Sequence, residues 1–231
     1  MLSALAFLTV AGGARVPDER TLRWFPVIGA VIGGVLALVA GTAGEVWDPA
    51  VVALLVVVTD LVLTGLLHVD GLADCADGLL PHLDRDRRLA VLREPTVGAF
   101  ALAVVPTVLL ARWVALAGDG IEPVALIAVW AASRTGMAVV PALVPYARPQ
   151  GLATPFLAGS RSWLVVWLVP VAGLLAVVHG PIGVVAGVAG TVAFAAVIGV
   201  ADRRLGGFTG DVLGASAVVG ETVALLALAA A

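Results

Sequence analysis

The chain has 231 residues, of which 61% are hydrophobic and 13% are charged, and its mean hydropathy is +1.10. This composition excludes an ordinary soluble domain and predicts an all-α integral membrane protein. All 13 basic residues are arginines and the formal net charge is −3, so no broad basic patch points to nucleic acid as a partner. The single cysteine, Cys75, excludes an internal disulfide.

Hydropathy along the chain predicts a polytopic transmembrane helix bundle with about seven spans. Residues 1–11 are apolar but lack a basic segment before them and a small-residue cleavage site after them, so we expect a short N-terminal interfacial helix rather than a cleaved signal peptide. No internal repeat or domain boundary is visible, which predicts that residues 1–231 form a single integral membrane domain. The apolar runs long enough to cross the hydrocarbon core fall at 24–43, 50–67, 98–117, 123–144, 162–178, 182–200 and 212–230.

The loop arginines give this bundle a direction. All eleven of them fall on one side of the seven predicted spans. The charged residues of the opposite loops are all acidic. Arginine excess marks the cytoplasmic side of a membrane protein. The sequence therefore predicts a multi-pass protein of the cell inner membrane whose second, fourth and sixth spans each run toward the cytoplasm.

An acidic stretch, residues 68–78 (HVDGLADCADG), follows the second predicted span. Asp70, Asp74 and Asp77 stand at i, i+4 and i+7, so on a helix they share one face. Three neighbouring carboxylates repel one another and raise each other's proton affinity, which favours a bound cation such as Mg²⁺. The alternative is a solvated helix face, but three acids in register favour a metal site facing the cytoplasm. The stretch is expected to be a helical continuation of the second span or a kinked surface helix interrupted by its glycines.

Two further polar segments are expected on the same membrane face. Residues 206–211 (GGFTGD) precede the last predicted span, and glycine backbone N–H groups there can approach phosphate oxygens, with Thr209 adding a hydroxyl and Asp211 completing a metal shell. Residues 146–152 (YARPQGL) contain Arg148, which is suited to binding a phosphate. Arg93 is a second candidate for a phosphate, whereas Arg85, Arg87 and Arg88 are interpreted as topology signals and contacts to lipid headgroups.

Isolated polar residues leave more alternatives open. His68 is a ligand, a hydrogen-bond donor to substrate or an interfacial residue that caps a span. Charges inside predicted spans are expected to be paired, because hydrocarbon penalises a lone charge. Asp60 and Arg134 are the pair that the sequence suggests, although sequence alone does not establish their contact.

These motifs together resemble the adenosylcobinamide-GDP ribazoletransferase family, also called cobalamin 5′-phosphate synthase. The resemblance rests first on residues 68–79, and it extends in order through 7–9 (FLT), 24–29 (WFPVIG), 147–152 (ARPQGL) and 207–215 (GFTGDVLGA). One block departs from the family pattern, because Glu94 follows Arg93 where an aspartate is usual. The role of Glu94 is left open.

The resemblance implies a transferase that joins the GDP-activated adenosylcobinamide phosphate to α-ribazole or α-ribazole 5′-phosphate and releases GMP. Such a reaction calls for Mg²⁺ as cofactor, and we expect the lipid bilayer as surroundings, while homo-oligomer formation is left open. Asp70, Asp74 and Asp77 are then the expected catalytic residues and, with Asp211, the metal ligands. The residues expected to bind substrate are His68, Gly71, Gly78, Arg93, Arg148, Gly207, Thr209 and Gly210.

Two other functions remain alternatives. A CDP-alcohol phosphatidyltransferase-like membrane enzyme also uses Asp-Gly carboxylates at a membrane surface, but its motif spaces the later aspartates differently. A small transporter would explain charges inside the spans, but transporter sites lie near the bilayer midplane between structural repeats. Here the densest polar cluster lies at one surface.

Overall fold

The computed structural model describes residues 1–13, 15–118, 120–148, 154–159 and 161–230. These residues form helices joined by turns and short 3₁₀ segments, and within them the only β pairing is an isolated bridge between Tyr146 and Phe208. The all-α prediction is confirmed. In chain order the helices are α1 (Leu2–Leu8), α2 (Phe25–Ala43), α3 (Pro49–Leu63), α4 (Leu67–Leu79), α5 (Arg85–Val91), α6 (Ala99–Leu116), α7 (Ala125–Val139), α8 (Leu168–Leu205) and α9 (Gly210–Leu228).

The predicted count of about seven spans is not confirmed. Among the described residues, five helical stretches are long and apolar enough to cross a membrane, and a bent pair made of α3 and α4 raises the number to six. The predicted spans at 162–178 and 182–200 fall within one helical stretch of 44 residues, Ser162–Leu205. This chain is a multi-pass membrane protein with five or six apolar stretches of spanning length among its described residues.

The long stretch that ends in α8 is broken at Gly180. This residue has φ 58° and ψ −141°, a backbone conformation that only glycine adopts easily, and Pro181 follows it. A Cβ atom on nearby Gly183 would lie 2.0 Å from the carbonyl oxygen of Leu175, so the two halves of the helix approach closely at the break. The break explains why hydropathy divided this stretch into two spans.

Helices α3 and α4 are separated by a sharp bend. Gly65 and Leu66 both have positive φ, and the helix axes on either side differ by 88°. The 13 residues of α4 extend over about 20 Å, too little to cross the hydrocarbon core alone. The expected interruption of this helix at its own glycines is wrong, because α4 runs unbroken through Gly71 and Gly78 and the bend precedes it.

The core is built around α9, which packs against α4, α6, α7 and α8, while α2 packs along α7. Small residues allow these close approaches, as is usual between membrane helices. A Cβ atom on Gly190 of α8 would lie 2.8 Å from the carbonyl oxygen of Gly220 on α9. Because α9 contacts both the interior and α4, its first residues are fixed beside the acidic stretch.

A buried ionic network crosses the same core. Arg112 of α6 pairs with Asp60 of α3 at 2.7 Å and with Glu221 of α9 at 2.8 Å, and Arg134 of α7 also pairs with Glu221. The Trp130 indole donates a hydrogen bond to Asp60 at 2.9 Å. Two arginines and two acids therefore neutralise one another, as the sequence predicts. The predicted pairing of Asp60 with Arg134 is wrong, because Arg112 lies between them and takes Asp60 as its partner.

Candidate active site

The acidic face of α4 is set by the amphipathic pattern of this helix. Its apolar side buries Leu72, Cys75 and Leu79 against the bundle, and this packing turns the carboxylates to the other side. Asp70 is exposed, while Asp74 is half-buried. The three aspartates of the motif share a helix face, as their spacing predicts, but their surroundings differ.

The N-terminus of α9 lies directly against this helix. A Cβ atom on Gly71 would come within 2.7 Å of the carbonyl oxygen of Asp211, so only a glycine lets the two backbones approach this closely. Asp211 is the second residue of α9, at the helix N-terminus that the sequence predicts. The structure thus brings together Asp74 and Asp211, two acids 137 positions apart whose charges act on each other.

An arginine is delivered to the same place by a backbone pairing between two loops. Phe208 N–H donates to Pro145 O at 2.9 Å, and Ala147 N–H donates to Phe208 O at 2.8 Å. A Cβ atom on Gly207, whose φ is 152°, would lie 2.2 Å from Pro145 O, so the pairing requires glycine there. This contact places Arg148 so that its Nη2 lies 2.9 Å from Asp211 Oδ2.

Other parts of the two predicted loop motifs have more structural roles. The Thr209 hydroxyl accepts a hydrogen bond from Val212 N–H at 3.3 Å, which caps α9, and donates to Asp211 Oδ2 at 3.2 Å. Gly210 begins α9, and a Cβ atom there would meet no atom within 4 Å. Gly151 and Leu152, at the end of the family block that contains Arg148, lie outside the described residues.

Asp74 holds its proton more tightly than an ordinary aspartate. Burial, and then the nearby charges of Asp211 and Asp70, raises the pKa of Asp74 to about 7, and Arg148 opposes this only in part. Such a group is close to half-protonated at neutral pH. The repulsion predicted from the spacing of the acids is therefore present, strengthened by an acid from a distant part of the chain.

Asp77 faces a different neighbour. Its Oδ2 accepts a hydrogen bond from Gly98 N–H at 2.7 Å and its Oδ1 accepts one from Ala101 N–H at 3.1 Å, at the N-terminus of α6. A carboxylate at this position caps the helix and is stabilised by the helix dipole. In the structure Asp77 therefore ties α4 to α6, and both of its oxygens are engaged.

The opposite end of α4 is held by arginines whose role the sequence did not indicate. Arg88 is buried, and its Nη1 donates to Gly78 O at 2.9 Å and to Leu79 O at 2.8 Å. Arg204 at the end of α8 also donates to Leu79 O. The interpretation of Arg88 as a lipid contact is wrong, because this side chain satisfies the last carbonyls of the acidic helix. Its alternating acidic and basic neighbours gave no signal of burial.

The remaining predicted residues lie around this centre. Arg93 is exposed, one residue after Leu92, whose carbonyl oxygen accepts a hydrogen bond from Arg148 Nη2 at 3.1 Å. Glu94 pairs with Arg87 at 2.7 Å on the surface. His68 is 4% exposed at the start of α4, and neither ring nitrogen has a hydrogen-bond partner in the described part of the chain.

The side chains present suit a magnesium ion in their chemistry. In the described parts of the chain no group of three acidic, histidine or cysteine side chains is arranged to hold a metal ion. Mg²⁺, however, keeps several waters and is commonly bound by one or two carboxylates together with substrate phosphates. Asp74 and Asp211, with Asp70 beside them, supply oxygen ligands whose mutual repulsion a divalent cation would relieve.

Comparison with known proteins places this site in a family. A family model described as cobalamin-5-phosphate synthase matches residues 1–229. The chain belongs to the cobalamin-5-phosphate synthase family. The resemblance drawn from the short motifs is therefore confirmed over nearly the whole chain.

Relatives named adenosylcobinamide-GDP ribazoletransferase align over nearly their full length. The protein of Chlorobaculum tepidum is 34% identical, over 98% of this chain and 92% of the relative. That of Pseudomonas aeruginosa is also 34% identical, over 99% and 97% of the two chains, and that of Roseiflexus sp. is 35% identical, over 97% and 87%. No solved structure matches this chain.

Proposed function

We propose that this protein transfers the adenosylcobinamide phosphate group from its GDP-activated form to the ribose hydroxyl of α-ribazole or α-ribazole 5′-phosphate. The hydroxyl oxygen forms a new bond to the phosphorus of the adenosylcobinamide phosphate. The phosphoanhydride bond breaks, GMP leaves with the bridging oxygen, and the hydroxyl proton passes to a carboxylate. The proposal agrees with the family of the chain and with the names of its relatives.

The observation that carries the proposal is the contact of α4 with the start of α9. It gathers Asp70, Asp74 and Asp211 beside Arg148 from three separate parts of the chain. A diphosphate carries several negative charges, so it needs cations that bind both the transferred phosphate and the leaving GMP. A cluster of carboxylates suits this task only when a divalent cation is present.

Asp74 and Asp211 are the residues that would hold Mg²⁺, with Asp70 adding charge at the exposed edge. The bound ion would supply charge neutralisation for the diphosphate and for the departing GMP. One of these aspartates accepts the proton of the attacking hydroxyl. Asp77 positions the acidic helix by its contact with α6, rather than binding the ion itself.

Arg148 is placed to bind a phosphate oxygen of the substrate. Its Nη2 is bonded to Asp211 and Leu92 O, but its Nε has no hydrogen-bond partner among the residues that the structure describes. A guanidinium donates several hydrogen bonds in one plane, which matches the oxygens of a phosphate. Arg93 lies one residue beyond the Leu92 contact and could join it as the diphosphate enters from the aqueous side.

We place the site at the cytoplasmic face of the membrane. The arginine bias of the loops supports this orientation, and so do Arg88 and Arg204, which both donate to the last carbonyls of α4. A cytoplasmic site would have direct access to nucleotide-activated, water-soluble substrates.

The direct test is GMP release by the purified protein in liposomes. With adenosylcobinamide-GDP, α-ribazole and Mg²⁺ present, we expect GMP in a one-to-one ratio with the joined product. Asp74→Asn should lower kcat by about a thousandfold, equivalent to about 4 kcal/mol of activation free energy. Asp86→Asn, which changes a fully exposed acid on α5, is the matched control and should retain activity.

Other outcomes separate the competing functions. Turnover of a CDP-activated lipid alcohol without GMP release would replace the proposal with phosphatidyl transfer. Vectorial movement of substrate across the liposome membrane without any chemical product would replace it with transport.

A further inference from the structure

A small cavity adjoins the carboxylates of the candidate active site. Its volume is about 90 Å³, several times the roughly 10–15 Å³ that one water molecule needs. Asp70 and Asp211 line it together with the apolar side chains of Phe7, Phe25 and Met137. The cavity therefore joins a charged wall, where the transfer reaction is proposed, to an apolar wall built from α1, α2 and α7.

His68 borders the same cavity and is an unusual buried residue. It is 4% exposed, and both of its ring nitrogens lack a hydrogen-bond partner among the described residues. A neutral imidazole carries one donor and one acceptor, and leaving both unsatisfied inside a protein is costly. Such a group requires an explanation, and a ligand that hydrogen-bonds to the ring supplies one.

We propose that this cavity receives the base of the acceptor α-ribazole and that His68 hydrogen-bonds to its free ring nitrogen. This inference rests on the proposed function and names the acceptor subsite within it. A benzimidazole base is flat and largely apolar, and its one free ring nitrogen accepts a hydrogen bond. Phe7, Phe25 and Met137 match the apolar faces of such a ring, and the imidazole N–H matches its nitrogen.

The other parts of the two substrates fit this cavity less well. The corrin macrocycle is much larger than a flat bicyclic base and is too large for a cavity lined by ten residues. Guanine presents donors and acceptors along two edges, whereas the apolar wall offers it no polar group other than His68. A base held against this wall leaves its ribose to extend toward Asp70 and Asp211, where the attacking hydroxyl is needed.

The test measures acceptor binding apart from catalysis. Equilibrium dialysis of α-ribazole against the full-length protein, with no donor present, should show at least tenfold weaker binding to His68→Leu than to the wild type. In the transfer assay the same substitution should raise KM for α-ribazole by a similar factor and leave KM for the GDP-activated donor within twofold. The control is His82→Leu, an exposed histidine just beyond α4, which should change neither constant.

Two further variants keep the test decisive if His68→Leu does not accumulate. His68→Gln retains a hydrogen-bond donor and should bind α-ribazole more tightly than His68→Leu. If His68→Leu does not accumulate, the comparison is with the wild type, and the affinity of His68→Gln should lie within tenfold of it. Met137→Phe narrows the cavity from the α7 side and should weaken α-ribazole binding without affecting donor KM. Unchanged α-ribazole binding in Met137→Phe, or a rise in donor KM instead, would overturn the assignment.

Failure of this inference is distinguishable from failure of the proposed function. A wild-type protein that binds α-ribazole in a His68-dependent way but releases no GMP would contradict the transferase proposal and leave the subsite standing. A protein that releases GMP normally while His68→Leu keeps full affinity for α-ribazole would contradict the subsite alone.

Discussion

Two clusters of charged side chains among the described residues differ in how far their charges are paired. In the interior, Arg112 and Arg134 face Asp60 and Glu221, so that each charge has an opposite partner. On the acidic face of α4 and the start of α9, four aspartates are gathered near one another, and Arg148 pairs with Asp211. The first cluster is neutral, and the second carries an excess of negative charge.

The difference shows which cluster serves the fold and which serves chemistry. Charges inside a membrane bundle are tolerated when their partners lie within hydrogen-bond distance. Removing one partner leaves the other charges buried and unpaired. Excess like charge at the surface costs stability until a ligand of opposite charge binds. We therefore expect substitutions in the two clusters to affect stability and activity differently.

The largest predicted effect on stability belongs to the interior. Arg112→Met should lower the free energy of unfolding by about 3–5 kcal/mol, because Asp60 and Glu221 lose a shared partner. Unfolding by SDS titration in mixed micelles measures this. Asp74→Asn should leave the unfolding free energy unchanged or raise it, since it removes a repelling charge. A loss of stability in Asp74→Asn as large as that in Arg112→Met would contradict the distinction.

The next effect concerns Arg148, which pairs with Asp211 of the acidic cluster. Arg148→Ala should raise KM for the GDP-activated donor by about tenfold to thirtyfold, because a charge-assisted hydrogen bond to phosphate contributes about 1.5–3 kcal/mol. Initial-rate kinetics with each substrate varied in turn measures this. Arg203→Ala, at an exposed position near the end of α8, is the control. An unchanged KM for both substrates in Arg148→Ala would remove this residue from the site.

The raised pKa of Asp74 predicts a pH dependence of cation binding. With a pKa of about 7, Asp74 is mostly protonated at pH 6 and mostly ionised at pH 8. A proton and a cation compete for this carboxylate, so the half-saturating Mg²⁺ concentration should fall about tenfold from pH 6 to pH 8. Mg²⁺ titrations of GMP release at fixed ionic strength measure it. A half-saturating Mg²⁺ concentration that stays constant from pH 6 to pH 8 would contradict competition between a proton and the cation for Asp74.

The smallest effect should come from the arginine that holds the end of α4. Arg88→Gln should raise the half-saturating Mg²⁺ concentration about fivefold. The last carbonyls of α4 lose a donor, and the aspartates earlier in the same helix are then held less firmly in position. Arg87→Gln on the same helix is the matched control, since that side chain pairs with Glu94 at the surface. A purely structural role of Arg88 would lower stability without changing the Mg²⁺ requirement.

Local patterns made much of this site predictable. The i, i+4, i+7 spacing placed the acids on one helix face, and the glycines before Asp211 marked the start of α9. Both signals depend on neighbouring residues, so they are visible in the sequence. The family resemblance then supplied the reaction, which no spacing could.

Contacts between distant helices were not predictable in the same way. Asp60 pairs with Arg112 because α6 lies beside α3, and the sequence does not show which helices are neighbours. Asp77 looks equivalent to Asp74 in the motif, but α6 begins next to it and takes both of its oxygens. Hydropathy divided the chain at Gly180, but it scores composition and could not show the backbone conformation of the break.

Direct measurement of metal binding tests the central claim, that underpaired carboxylates of α4 and α9 share a divalent cation. Electron paramagnetic resonance of Mn²⁺ added to the purified protein reports the free and bound ion without requiring turnover. The account predicts a saturable site whose affinity falls at least tenfold in both Asp74→Asn and Asp211→Asn and stays unchanged in Asp86→Asn. Equal Mn²⁺ affinity in the wild type and in both active-site variants would contradict it.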